Sequence, residues 1–301
     1  MTGLAGSTTT QLQALIPDQR NWQRWLSGAI SLALFATIVW KFRAFGFSAA
    51  IATLPKKPLF WAAFIGYYLA LPTSEWLIFR HLWRLPFAGF AALLRKLVSN
   101  EVLLGYSGEV YFYTWARRHA KLATAPFGAI KDVSILSALA GNLMTLVMLG
   151  FAWPLLGRFS SSTHAHTIAL SAALIISMSV AVLAFKGRIF SLPAQQLRMI
   201  FSIHAVRLIT TTVFSGVMWH SALPEVPLVW LVLLATLQLL VTRLPFVPNK
   251  DLVFAGLAIF LIGHDVQVAT LIAMIAALIL GVHLAIGSAL IVAEFVEAPG
   301  R

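Results

Sequence analysis

The sequence predicts an all-α polytopic membrane protein with about eight transmembrane helices and two re-entrant or broken segments. Of its 301 residues, 59% are hydrophobic and only 11% are charged, whereas about a quarter of the residues in a soluble domain are charged. The apolar residues form runs close to the roughly 20 residues that a helix needs to cross a bilayer. Two stretches interrupt these runs with charge, glycine or proline, and they are the candidate functional part of the chain.

Seven apolar runs are the candidate spanning helices. They are Trp25–Trp40, Leu59–Phe79, Val133–Trp153, Thr167–Phe185, Met199–Trp219, Leu228–Val241 and Val268–Val292. An eighth run, Leu252–Ile262, is short for a complete span. Spans and short loops use up the length, so we expect one transmembrane domain over residues 25–292, after a cytoplasmic N-terminal segment 1–24 and before a C-terminal tail 293–301.

Loops rich in Lys and Arg alternate with loops that have one or none in the middle and C-terminal parts of the chain. The basic loops are 117–131, 186–198 and 243–250. By the positive-inside rule, these loops and the C-terminus lie in the cytoplasm. Lys41 and Lys56 in the first loop would then lie outside, against that rule, so the orientation of the N-terminus stays open.

The net charge of +12 does not predict a nucleic-acid partner. Basic residues at span ends face anionic lipid headgroups, which explains the excess of positive charge in a membrane protein.

The chain has no cysteine, which excludes disulfides and thiolate metal sites. His164 and His166 have a metal-binding spacing without a third ligand nearby, so we expect a solvated loop, no metal and no cofactor. No Walker loop or dinucleotide fingerprint is present.

The first interrupted stretch is Leu97–Tyr111, in which Glu101 and Glu109 lie on either side of a Gly-Tyr-Ser-Gly break. Ionisable groups at membrane depth suggest function, and broken backbone survives there only beside protein or a water-filled cavity. If the segment after the break is helical, Glu109, Tyr113 and Arg117 share one face. That face either contacts a headgroup or pairs a carboxylate at the helix N-terminus with a basic residue.

The second interrupted stretch is Arg243–Asp251, where Pro245 and Pro248 forbid a regular helix. It is either a plain cytoplasmic turn with Asp251 as a helix cap, or a polar site. Paired interrupted segments in the two halves of a membrane protein indicate a transporter site between them.

A third polar position is Arg207, eight residues into the fifth candidate span. A guanidinium at that depth needs a carboxylate or a phosphate. Glu109 and Asp251 are the expected protein partners, and a lipid phosphate is the alternative. The sequence thus predicts no catalytic residue and one substrate-binding set, which consists of Glu109, Arg117, Arg207, Arg243, Lys250 and Asp251.

Several short motifs resemble the flippase-like transmembrane region of the lysylphosphatidylglycerol synthase family. The pattern Leu-Leu-Gly-Tyr-Ser-Gly-Glu-Val is followed by two arginines and then by Lys131-Asp132 at the start of a long apolar run. The family carries a Gly-Glu step in its first half, to which Gly108-Glu109 corresponds. The resemblance extends over about residues 25–292.

In its second half the family carries a Pro-x-x-Pro-Gly-Gly-type segment, to which Pro245 and Pro248 correspond. Here Asn249-Lys250 replaces the double glycine, and Ala255 replaces a usual acidic residue. We therefore expect a divergent member of the family without the soluble aminoacyl-transfer domain.

The resemblance implies a membrane fold with two re-entrant segments that meet in a cavity, in a bacterial inner (cytoplasmic) membrane. It implies a lipid flippase or transporter that moves a lipid or lipid-linked headgroup between leaflets, with anionic or phosphate-bearing membrane lipids as partners. The sequence leaves open whether the chain forms a homo-oligomer. Two alternatives also stay open: an intramembrane enzyme of lipid or polyprenyl-linked metabolism that uses Glu101 and Glu109, and a non-catalytic membrane subunit.

Overall fold

A computed structural model describes residues 55–119, 126–156, 176–177, 179–180, 184–243, 250–262 and 266–297. The predicted first span, Trp25–Trp40, lies outside these ranges, as does most of Thr167–Phe185. The prolines of the second interrupted stretch, within residues 244–249, also lie outside them.

The regular structure within the described ranges is helical throughout. The helices are α1 (Pro58–Trp83), α2 (Ala88–Val102), α3 (Ser107–His119), α4 (Phe127–Leu156), α5 (Lys186–Ile189), α6 (Ala194–Ala222), α7 (Leu228–Thr242), α8 (Lys250–Ile262) and α9 (Val266–Glu297). Among the residues that the structure describes, three stretches are long and apolar enough to cross a membrane: Phe127–Pro154, Ala194–Ala222 and Met274–Ala293. The prediction of an all-helical membrane protein is therefore confirmed, whereas the count of about eight spans stays a prediction.

The predicted break in the first interrupted stretch is confirmed, because α2 ends at Val102 and α3 begins at Ser107. The two helices pack against each other as a helical hairpin. The left-handed residue of the connection is Tyr106, with φ of 73°, and neither glycine of the motif adopts a positive φ. Left-handed backbone is uncommon for residues other than glycine, so the conformation of Tyr106 is set by the hairpin around it.

The hairpin closes through Gly108. The Gly108 N–H donates to Asn100 Oδ1 at 2.7 Å, and Ser107 Oγ donates to the Ser99 carbonyl at 2.9 Å. A Cβ atom at position 108 would overlap the carbonyl oxygen of Lys96. Glycine is therefore required here by the close approach of α3 to α2 rather than by its φ, and this approach places the next residue, Glu109, beside α2.

Among the described residues, three apolar clusters hold the bundle together, and the two larger ones leave a polar zone between them. From α1, Phe60 and Phe64 belong to the first of these clusters, and Ile78 and Phe79 belong to the second. Glu75 lies between these two clusters along α1 and lines a cavity. Helices in a bilayer associate through packing and hydrogen bonds rather than through the hydrophobic effect, so close apolar contacts above and below can hold such a polar zone in place.

A buried carboxylate joins the start of α4 to the segment that leads into α6. Asp132 is fully buried, and its Oδ2 accepts the backbone N–H groups of Ser191 at 2.7 Å and Leu192 at 2.8 Å. Lys131 Nζ lies 3.5 Å from Asp132 Oδ1 and also donates to the Ile189 carbonyl. The Lys131-Asp132 pair is thus a structural tie between α4 and the segment before α6.

Candidate functional site

A polar cavity of about 320 Å³ lies inside the bundle, and α1–α4 and α6–α9 all contribute to its wall. A buried water needs roughly 10–15 Å³ of such volume. The cavity therefore has room for a polyatomic polar group with several oxygen atoms.

The structure brings five of the six predicted substrate-binding residues to this cavity. They are Glu109, Arg207, Arg243, Lys250 and Asp251. Arg117 is not among the residues that line it. Arg117 is exposed on α3, where its Nη1 donates to Tyr113 Oη at 3.3 Å and its guanidinium lies over the Tyr113 ring. The predicted helix after the break is confirmed, and Tyr113 and Arg117 lie on one face of it, but Arg117 is placed away from the site.

One lysine that the sequence interpretation missed forms ion pairs with two carboxylates at the hairpin. Lys96 Nζ of α2 forms ion pairs with Glu75 of α1 and, at 3.3 Å, with Glu109 of α3. The Lys96 and Glu75 side chains are only 4% and 7% exposed. We call these three residues the hairpin ion cluster. A signal was present in the sequence, because Lys96 interrupts an otherwise apolar run and charges at such depth are rare.

A sequence-based pairing is corrected by this cluster. Arg207 was expected to pair with Glu109 or Asp251, yet Glu109 is held by Lys96. The reason is the hairpin, since it brings α2 rather than α6 against the carboxylate of Glu109.

The flanks of the two interrupted stretches meet in the cavity. The backbone N–H of Lys250, at the start of α8, donates to Glu101 Oε2 at 3.4 Å. Lys250 Nζ donates to the carbonyl of Thr242, at the end of α7, at 3.2 Å. These contacts connect the end of α2 with both sides of the second stretch.

Asp251 is bound by neutral donors. Tyr67 Oη and Gln238 Nε2 each donate to Asp251 Oδ1 at 3.4 Å, and Gln238 Nε2 also donates to Tyr67 Oη at 3.0 Å. Distances of 3.4 Å are long for hydrogen bonds, so these contacts hold the carboxylate only loosely.

Two arginines line the cavity without an acidic partner. Arg207 Nη2 of α6 donates to Ser137 Oγ at 3.3 Å, and Arg243 Nη1, at the end of α7, donates to the Ala138 carbonyl at 3.2 Å. Within the described ranges, no carboxylate lies at salt-bridge distance from either guanidinium. We call Arg207 and Arg243 the arginine pair. Its neutral anchors leave the positive charge available to a ligand.

The wall of the cavity carries four basic and four acidic side chains. The basic ones are Lys96, Arg207, Arg243 and Lys250, and the acidic ones are Glu75, Glu101, Glu109 and Asp251. Among the described residues, salt bridges between these groups form only within the hairpin ion cluster. The remaining charges are separated rather than paired, which makes the cavity a suitable environment for a charged ligand.

Glu101, which belongs to the hairpin rather than to a spanning helix, has a perturbed acidity. Burial, and to a smaller extent the negative charge of Asp251, raise the pKa of Glu101 to about 7. The positive charge of Lys250 and its backbone N–H act in the opposite direction. Glu101 can therefore change its charge near neutral pH.

A tyrosine and a histidine that the sequence interpretation did not connect also lie at the cavity wall. Tyr68 Oη and His283 Nδ1 are 2.8 Å apart, and both side chains are buried. His283 thus lies in the core beside the cavity. The described part of the chain contains no group of three or more histidine, aspartate or glutamate side chains that could hold a metal ion.

Comparisons with models of known protein families, with curated proteins and with solved structures find no match. The resemblance to the lysylphosphatidylglycerol synthase family therefore rests on the short sequence motifs and stays a prediction.

Proposed function

We propose that this chain is an integral membrane lipid transporter of the flippase type, which moves a lipid or lipid-linked headgroup between leaflets. The observation that carries the proposal is the charged cavity of about 320 Å³ in a bundle with three helices able to cross a membrane. Charges at membrane depth are expensive and mark pathways for polar substrates. Such a cavity can shield a headgroup while the acyl chains stay in the bilayer.

The proposed topology has about eight spans, with α2–α3 as one re-entrant segment and the stretch between α7 and α8 as the other. The contact of Glu101 with Lys250 supports a site between the two segments, because it joins their flanks. This arrangement is the one expected of a divergent, flippase-like member of the lysylphosphatidylglycerol synthase family in a bacterial inner membrane. Sites at the interface of broken segments are common in transporters.

The proposed partner is a membrane lipid with an anionic or phosphate-bearing headgroup. Arg207, Arg243 and Lys250 support this choice, since none of the three has a carboxylate at salt-bridge distance among the described residues. An enzyme would need Glu101 and Glu109 to act together as acid and base. Glu109 forms an ion pair with Lys96 and so is not available as an acid or base. This favours transport over catalysis.

Lipid movement in liposomes tests this function. The purified chain is reconstituted with a bacterial lipid extract that contains a headgroup-labelled phospholipid, and an impermeant quencher reports how fast inner-leaflet lipid reaches the outer leaflet. We expect the folded protein to accelerate this exchange well above protein-free liposomes. Absence of movement with every native lipid extract would overturn the proposal, and accumulation of a chemically altered lipid in mass spectra would favour the enzyme instead.

A further inference from the structure

The arginine pair is anchored on consecutive residues of one helix. Arg207 reaches α4 from α6 and donates to Ser137, while Arg243 reaches α4 from the end of α7 and donates to Ala138. Two guanidinium groups from different helices are thus held at the same level of α4. Their like charges repel each other. The negative charge of Glu75 offsets part of this repulsion for Arg207, and a negative group that contacts both guanidiniums would offset it further.

Space for Arg243 is provided by a glycine one turn further along α4. A Cβ atom at Gly141 would overlap the Arg243 guanidinium, at 2.5 Å from Cζ and 2.6 Å from Nη2. Glycine is a poor residue for a helix interior, so its presence here is accounted for by the close approach of the side chain. The position of Arg243 is therefore determined by packing as well as by its hydrogen bonds.

Arg243 also donates to Thr242 Oγ1, through Nε at 3.2 Å and Nη2 at 2.8 Å, whereas one donor nitrogen of Arg207 remains unused. Arg207 Nε is buried and has no hydrogen-bond partner among the described residues, and neither has Ser134 Oγ, one turn before Ala138 on α4. Both residues line the cavity. A guanidinium presents its N–H groups as a planar fork that matches phosphate or carboxylate oxygens. Two forks and a hydroxyl together offer more donors than the two oxygens of a carboxylate can accept.

We propose that Arg207, Arg243 and Ser134 form an oxyanion site that holds the tetrahedral phosphate group of a phosphate ester. A phosphate has enough non-bridging oxygens to bridge both guanidiniums and accept from the serine, and it neutralises the pair. This inference rests on the proposed lipid transport, because it assigns the position at which the headgroup phosphate is held.

Binding to the purified chain in detergent tests the site with three probes. They are inorganic phosphate, dihexanoyl phosphatidylglycerol and dihexanoyl glycerol, which lacks the phosphate. Affinities are measured by calorimetry for the native chain and for Gly141→Ala, which displaces Arg243 without removing a charge. The matched control is Gly150→Ala on the same helix, since nothing lies within 4 Å of a Cβ atom at that position.

We expect Gly141→Ala to weaken binding of both phosphate-bearing probes by roughly ten-fold or more, as for the loss of a charge-assisted hydrogen bond. Gly150→Ala should leave both affinities within about two-fold of the native value. Arg243→Lys, which keeps the charge but loses the planar fork, should weaken phosphate binding as well. This second variant decides the question if Gly141→Ala does not fold.

The outcomes separate this site from the transport proposal. In one outcome, inorganic phosphate binds with the expected dependence on the variants while the phospholipid does not bind. That result would support the oxyanion site as a site for a soluble phosphate ester, and it would overturn the proposed lipid transport. If the phospholipid binds and moves between leaflets but neither Gly141→Ala nor Arg243→Lys changes its affinity, the oxyanion site is overturned and transport stands. Equal binding of dihexanoyl glycerol and dihexanoyl phosphatidylglycerol also overturns the site.

Discussion

The hairpin ion cluster and the arginine pair place buried charges in the same cavity in opposite ways. In the cluster, Lys96 lies between two carboxylates from two other helices, so its charge is neutralised within the protein. In the pair, Arg207 donates to the hydroxyl of Ser137. Arg243 donates to the Ala138 carbonyl and to the hydroxyl of Thr242, so both arginines contact neutral groups. The difference shows that pairing, rather than the presence of charge at membrane depth, separates residues that hold the bundle together from residues available to a ligand.

Removal of Lys96 gives the largest expected loss of stability. Lys96→Met leaves the buried Glu75 and the partly buried Glu109 without their ion-pair partner, and loss of one member of a buried ion pair destabilises by roughly 3–5 kcal/mol. The free energy of unfolding, measured by titration of the mixed-micelle protein with denaturing detergent, should fall by that amount. The triple variant Lys96→Met, Glu75→Gln and Glu109→Gln should recover much of it. A single variant as stable as the native chain would contradict the structural role of the cluster.

A smaller effect is expected where the hairpin closes. In Gly108→Ala, the new methyl group meets the Lys96 carbonyl and separates α3 from α2. Overpacking of this kind destabilises by about 1–3 kcal/mol, and it should show in the same unfolding titration. Gly216→Ala is the control, because nothing lies within 4 Å of a Cβ atom there. Equal stability changes in the two variants would show that the close approach at Gly108 is unimportant.

Substitution of the arginine pair should have the opposite effect: a small change in the free energy of unfolding and a large loss of lipid transport. The double variant Arg207→Gln and Arg243→Gln leaves no buried carboxylate unpaired, so the free energy of unfolding should change by only about 1 kcal/mol. Lipid movement in liposomes should fall by roughly ten-fold or more. If the double variant unfolds as readily as Lys96→Met, the two regions do not differ in the way described.

The smallest expected effect is a change in pH dependence at Glu101. Because the pKa of Glu101 is raised to about 7 in the folded chain, ionisation favours the unfolded chain. Stability should therefore fall as the pH rises from the ordinary carboxyl pKa toward 7, and should level off above it. The free energy of unfolding, measured by titration at several pH values across this range, should depend less steeply on pH in Glu101→Gln than in the native chain. Glu225→Gln, which changes an exposed carboxylate, is the control, and a slope that is the same in both variants would refute the prediction.

Hydrophobic periodicity and composition predicted those features of the fold that depend on local sequence. The spans in α4, α6 and α9 and the break before Ser107 follow from apolar runs and from the glycines of the Gly-Tyr-Ser-Gly motif. The cavity also contains five of the six residues chosen from the sequence, since charge in an apolar chain is rare enough to mark the site.

What the sequence could not predict depends on how the helices pack. The choice of Lys96 as the partner of Glu109 follows from the hairpin geometry, and the conformation of Tyr106 follows from its closure. Gly141 appears in the sequence as one of many glycines in apolar runs. Its importance is visible only when Arg243, more than 100 residues later in the chain, is placed beside it.

Asp132 has a consequence beyond its own contacts. Its two backbone hydrogen bonds fix the axial register of α6 along α4, because they join residue 132 to residues 191 and 192. A slip of one helical turn would carry Arg207 about 5.4 Å along the axis and away from Ser137. A carboxylate that does not line the cavity thus sets the height at which one guanidinium enters it, and it does so through the alignment of two helices.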